Sequence, residues 1–184
     1  MKKKIVLGVT GSIAAYKSAD IASALVRMGY NVQVVMTSSA AKFIAPLTFE
    51  ALTKNKVYVD MFEDEDHDKV THIALATESD LILIAPATYN IIGKAACGIA
   101  DDLLSSIIAA APRDKVVFAP AMNVNMYNNP VLMENRRKLA EYGAFFIEPE
   151  EGMLACGVKA KGRLRNVPAI IEAVEGFLAE KPLK

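Results

Sequence analysis

The sequence predicts an α/β domain in three layers: a doubly wound, flavodoxin-like (Rossmann-like) parallel sheet with helices on both faces. Three observations carry this. Short β-rich runs alternate with amphipathic helical ones along nearly the whole chain. The run "DLILIAPA" (80–87) is apolar without interruption, as in a strand buried on both faces. Five such strands, joined by right-handed crossovers, fit the flavodoxin-like order better than a full dinucleotide fold.

In chain order, "KIVLGV" (4–9) is the first strand, followed by Gly11 and by Ser12 in N-cap position. "IAAYKSADIASALVRMG" is a helix with Ile13, Tyr16, Ile21, Ala24, Leu25 and Met28 on one face, closed by Gly29. "NVQVVM" (31–36) is the second strand, and 39–54 a helical region interrupted by Pro46. Residues 57–79 mix short extended pieces with an acidic loop. After the strand at 80–87 come a helix in "IADDLLSSIIAAA", the strand "KVVFAPA", a helix in "NPVLMENRRKLAEYG", the strand "AFFIEP" and the closing helix "VPAIIEAVEGFLAEK". The stretch 148–166, "EPEEGMLACGVKAKGRLRN", has neither period and carries three glycines, which reads as a flexible lid.

Its 184 residues fit one domain (1–184), large enough for a continuous core without staples. Lys+Arg and Asp+Glu balance at 21 each, which argues against a nucleic-acid surface. The 53% hydrophobic content suits an α/β domain or an oligomer. Two cysteines, Cys97 and Cys156, are too few for a disulfide framework and point to a reducing cytosol. The basic start "MKKKIVLGVTGS" has an apolar run too short for a signal peptide, and no stretch is apolar for long enough to span a membrane. Cys97 reads as a small buried residue of a helix start.

In this architecture a ligand sits beyond the carboxyl ends of the strands, where strand order reverses. The facing loops are then "VTGSIAAYK" and "APATYNIIGK". Gly11 permits close backbone approach, and Ser12 opens a helix whose free N–H groups favour an anion. No acidic residue closes the second strand, so a ribose-binding carboxylate for NAD is missing; Thr37, Ser38 and Ser39 offer hydroxyls for a phosphate instead. Gly11-Ser12 alone reads equally as a plain helix cap; the two loops together favour a mononucleotide. Asn90, beside Thr88 and Tyr89, suits the edge of a heterocycle and equally an Asx-type turn.

Four motifs then stand in order: "GSIAAYK" (11–17), "PATYN" (86–90), "PAMNVNMY" (120–127) and "ACGVKAKGR" (155–163). As a set the sequence resembles the flavin-containing cysteine decarboxylases, and within them the branch acting on phosphopantothenoylcysteine in coenzyme A biosynthesis. Tyr127 stands where the family commonly has Trp, Ala160 where the clamp has Gly, and Thr88 and Tyr89 depart from small residues.

The resemblance implies FMN as cofactor, held by Gly11, Ser12, Ile13, Thr37, Ser38, Pro86, Ala87, Thr88 and Asn90. It implies transient oxidation of the substrate cysteine to a thioaldehyde, loss of CO₂ onto the C=S group, and re-reduction of the enethiolate to the thiol of 4′-phosphopantetheine. It gives His72 proton transfer, for which an imidazole is suited near neutrality; His67 reads as part of a solvated charged loop. Asn123 would bind the substrate carboxylate, an amide being preferable to a fixed cation that stabilises the group to be lost. Met122 and Met126 would form adaptable apolar walls, and read equally as core. Cys156 would protonate the enethiolate, on a clamp that also offers Ala155. Lys159, Lys161 and Arg163 would meet the substrate phosphate, or form a solvated basic face. No metal is implied.

The resemblance further implies a homo-oligomer, trimer or dodecamer, with the flavin at the subunit contact. The tail "AEKPLK" reads as a linker cut short before a fused phosphopantothenate–cysteine ligase, the alternative being a natural single-function enzyme. The alternatives are a peptidyl-cysteine decarboxylase, a flavin prenyltransferase and a non-catalytic flavin-binding regulatory subunit.

Overall fold

The computed structural model describes residues 2–62, 71–153, 157 and 159–180. Strands β1 (Lys4–Val9), β2 (Asn31–Met36), β3 (Leu81–Ala87), β4 (Val116–Pro120) and β5 (Phe145–Phe146) form one sheet in the order β2-β1-β3-β4-β5. All four pairings are parallel, so the sheet has the flavodoxin-like order. Chain order reverses between β1 and β3, and their carboxyl ends flank the crevice where the site is built.

Alternation along the buried strands assigns each side chain to one face. Ile5, Leu7, Leu81 and Leu83 pack with Ile21, Leu25, Phe49, Ile170 and Val174. These come from α1 (Lys17–Arg27), α2 (Pro46–Thr53) and the closing helix at Val167–Glu180. Val6, Ile82, Ile84 and Phe118 face the other way, onto Leu75, Ile91, Ile107 and Leu132. Those belong to α3 (Thr71–Glu78), α4 (Tyr89–Cys97), α5 (Leu103–Ala110) and, beyond the helical turn α6 (Val124–Tyr127), α7 (Pro130–Glu141). The closing helix is α8. No helix long and apolar enough to cross a membrane occurs among the described residues.

Several local expectations change. Ile13 and Tyr16 lie on a 3₁₀ turn preceding α1 and are exposed, so the buried stripe of that helix is Ser18, Ile21, Ala22 and Leu25. Pro46 starts α2 rather than breaking it, because its missing N–H costs nothing in a first turn. Within 57–79, Tyr58 bridges Val35 and residues 71–78 are helical. Cys97 is exposed and ends α4, against the expectation of a buried helix start; the left-handed Gly98 stops the helix immediately after it.

The stretch 148–166 is the largest correction. It contains an antiparallel pair, β6 (Glu150–Met153) and β7 (Lys159–Arg163). "EEGM" and "KAKGR" lack apolar alternation, so the hairpin had no periodic signature.

Candidate active site

Thr10, one residue beyond β1, is almost fully buried. Its hydroxyl donates to the Pro86 carbonyl at 2.7 Å and accepts the Thr88 N–H at 3.1 Å. One side chain thus ties the first loop to the second. Ser18 adds a second tie, its hydroxyl donating to the Ala85 carbonyl at 2.7 Å. The loop after β2 comes closer still: a Cβ added to Gly11 would lie 2.5 Å from the Cβ of Ser39, so only glycine fits. The Thr37 hydroxyl accepts the Ala40 N–H at 3.2 Å, and the Ser12 hydroxyl accepts that of Ala14 at 3.3 Å. The loop after β4 joins through the Ala121 N–H, which donates to the Ala87 carbonyl at 3.1 Å.

These loops enclose a cleft of about 460 Å³, within the usual range for small-molecule sites. Thr10, Gly11 and Ser12 line it from the first loop, and Thr37, Ser38 and Ser39 from the second strand's end. Thr88, Tyr89, Asn90, Ile91 and Lys94 come from the start of α4, Asp102 from the start of α5, and Ala121, Met122 and Met126 from the β4 side. Of the expected cofactor and substrate residues, Gly11, Ser12, Thr37, Ser38, Thr88, Asn90, Met122 and Met126 therefore meet in one place.

The others are placed differently. Ile13 is 60% exposed just outside the lining, and Ala87 is buried in the core while Pro86 contributes its carbonyl to Thr10. Asn90 sits inside α4 rather than in a turn. Asn123 caps α6, its Oδ1 accepting the Asn125 N–H at 2.8 Å, which fixes the amide plane. Asn129, with Pro130 following, caps α7 and also accepts a hydrogen bond from the Tyr89 hydroxyl at 3.3 Å. His72 lies in the first turn of α3, half-buried, and is not among the cleft-lining residues. Arg163 pairs with Glu150 at 3.5 Å and Lys161 with Glu148 at 3.0 Å. Cys156, Ala155, His67 and the tail 181–184 lie outside the described residues, as does the side chain of Lys159.

The sequence reading missed Lys94 and Asp102. Lys94 pairs with Asp101 and, at 2.8 Å, with Asp102. Asp102 also forms a capping box with Ser105, accepting its N–H at 2.8 Å. Burial works against the Asp102 carboxylate, but the Lys94 and Ser105 hydrogen bonds outweigh it and hold its pKa below the ordinary value. Burial likewise works against the Lys94 ammonium, and its two carboxylates outweigh that, raising its pKa. The D-x-x-S spacing before an apolar run was the available signal. No group of three or more side chains suited to a metal ion occurs among the described residues.

The family model described as Flavoprotein matches residues 1–179. The chain belongs to the flavoprotein family. This flavoprotein is 51% identical over 172 residues to the "Coenzyme A biosynthesis bifunctional protein CoaBC" of Borreliella burgdorferi, covering 94% of the chain and 44% of that protein. It is 44% identical over 176 residues to the "Probable phosphopantothenoylcysteine decarboxylase" of Streptococcus mutans, covering 95% and 98% respectively. The chain thus spans less than half the length of the bifunctional relatives and nearly all of the single-function one. Among solved structures, a Cys-to-Ser mutant of PPC decarboxylase complexed with pantothenoylaminoethenethiol superposes with a TM-score of 0.87 at 31% identity, covering 97% of this chain and all of that one. "The FMN binding protein AtHal3" does so with a TM-score of 0.85 at 30% identity, covering both chains in full.

Proposed function

We propose that this flavoprotein binds FMN in the cleft and decarboxylates 4′-phosphopantothenoylcysteine to 4′-phosphopantetheine and CO₂. The carrying observation is the convergence of three motif-bearing loops on one cleft at the point where strand order reverses. The residues present suit a flavin mononucleotide. Hydroxyls of Ser12, Thr37, Ser38 and Thr88 stand beside helix starts, where backbone N–H groups favour a phosphate. Ile91, Ala121, Met122 and Met126 offer apolar surface for a planar ring. Gly11 keeps the first loop tight against Ser39, where a Cβ would force the two loops apart.

When bound, FMN supplies a reversible two-electron acceptor for the substrate's cysteine moiety. The chain's own residues manage the rest. Asn123, with its amide plane set by the α6 cap, donates to the substrate carboxylate from Nδ2 without a fixed positive charge. Met122 and Met126 wall the site and limit water. His72 moves protons during oxidation, and Cys156 delivers the last proton to the product enethiolate. Lys159 and Arg163 meet the substrate phosphate, Ala155 is assigned to the substrate side, and Ile13 and Asn90 complete the flavin contacts, whereas Pro86 and Ala87 are buried behind them.

His72 does not line this cleft within one chain, which supports a homo-oligomer, trimer or dodecamer, whose subunit contact completes the site. The chain matches 44% of a bifunctional relative and 98% of a single-function one, so a fused phosphopantothenate–cysteine ligase and a stand-alone decarboxylase are both compatible with it. The setting is the cytoplasm. The test is to titrate the purified chain with FMN and assay CO₂ release from phosphopantothenoylcysteine, with a C-terminal cysteine peptide as competitor substrate. A protein that takes up no flavin, or releases CO₂ only from the peptide, overturns the reading. Asn123→Asp, which sets a carboxylate against a carboxylate, is expected to abolish turnover while leaving FMN bound.

A further inference from the structure

We propose that Tyr127, Arg136, Glu148 and Lys161 form a polar latch that sets where the β6–β7 hairpin stands against the Met122–Asn123 loop. Tyr127 and Glu148 are then positioning residues for the proposed decarboxylation; this consequence rests on the function proposed above, whereas the latch itself does not.

The four side chains come from four separate segments: α6, α7, the chain between β5 and β6, and β7. The Tyr127 ring is 4% exposed, and its hydroxyl donates to Glu148 Oε2 at 2.6 Å while accepting from Arg136 at 2.8 Å. Arg136 donates a second time, to Glu148 Oε1. Lys161 closes the set from the hairpin, with its Nζ 3.0 Å from Glu148 Oε2. Both carboxylate oxygens of Glu148 are thus engaged, by a phenol and two cations. The guanidinium also sits over two rings, 5.1 Å from the Tyr127 centroid and 5.1 Å from that of Phe146.

One backbone bond shows what this cluster controls. The Met122 N–H, beside Asn123, donates to the Gly162 carbonyl of β7 at 3.0 Å. The strand is therefore joined to the loop at Gly162, and its neighbour Lys161 is joined to Glu148. With the side-chain contacts removed, that backbone bond remains to hold the strand at this edge. Tyrosine is required in this arrangement because a phenol can donate and accept at once, whereas an indole can only donate.

The experiment uses the FMN-loaded full chain with Tyr127→Phe, Glu148→Gln and Tyr127→Trp, followed by hydrogen exchange and steady-state kinetics. In Tyr127→Phe and Glu148→Gln the amides of 159–163 are expected to exchange about tenfold faster, with β1 and β3 unchanged. The KM for phosphopantothenoylcysteine is expected to rise about tenfold, with kcat and FMN affinity within about threefold of the parent. Tyr127→Trp, which can still donate to Glu148, is expected to fall between. Unchanged hairpin exchange overturns the latch, and so does faster exchange spread equally over β1 and β3. A loss confined to kcat with the hairpin still protected overturns the positioning role. If the parent chain itself releases no CO₂, the proposed function fails, while hairpin exchange still decides the latch.

Discussion

The switch-point loops and the latch hold neighbouring parts of one site by different means. At the switch point the contacts are buried and short, and they run through backbone: Thr10 to Pro86 and Thr88, Ala121 to Ala87, Gly11 against Ser39. At the latch the contacts run between ionisable side chains, two of them half-exposed: Glu148 and Lys161 are 48% and 44% accessible. The first region inherits its geometry from the sheet and tolerates little change. The second is set by charges and protons, so pH and single side chains can move it without disturbing the core.

Thr10→Val should break this contrast most severely. It deletes two hydrogen bonds at a buried site and leaves the Pro86 carbonyl and Thr88 N–H without that partner, so urea denaturation should show a loss of about 3 kcal/mol. Gly11→Ala comes next. Its Cβ must displace Ser39 backbone and side chain, and a loss of about 2 kcal/mol together with sharply weaker FMN binding is expected from denaturation and flavin titration. Asp102→Ala removes the α5 cap and should cost about 1 kcal/mol, read from the same denaturation series.

The latch should respond to pH at both ends, with smaller effects because water screens it. Burial opposes the Glu148 carboxylate, but hydrogen bonds from Tyr127 and Lys161 outweigh it and hold its pKa below the ordinary value. Its stabilisation is therefore present above the ordinary carboxylate range and fades as pH falls through the lowered pKa. Burial first, then the hydrogen bond to Glu148, push the Tyr127 phenol up from 10.0 to about 12. Its contribution is present below pH 10.0 and is lost as pH climbs towards about 12. Urea midpoints measured across both limbs check this, and Tyr127→Phe should remove the alkaline limb. Smallest of all is Arg137→Ala. Its pairs with Glu134 and Glu141 lie on the exposed face of α7, and the urea midpoint should not move measurably.

Much of the switch point was legible in the sequence because its determinants are local. Gly11-Ser12 at the end of an apolar strand and Thr88 before a helix are punctuation that strand and helix periods expose. Thr10 was not singled out, since a threonine after a strand carries no signal until the second loop is known to lie beside it. Asp102 could have been found from its capping spacing. The hairpin could not, because its strands are charged and glycine-bearing and each pairs with a segment several residues away along the chain. Tyr127 was noted only as a departure from a common tryptophan. What its hydroxyl does depends on residues 9 and 21 positions further along the chain.

By itself, then, the sequence determined the layers, the five parallel strands, the crevice and most of the residues facing it, because alternation, capping and glycine placement act over a few residues. Only the tertiary structure decided which hydroxyl joins the loops, that Cys97 faces solvent, that His72 is not among the cleft-lining residues, and that Tyr127, Arg136, Glu148 and Lys161 meet from four segments. Those are contacts between segments brought together by the fold, and no local pattern encodes them.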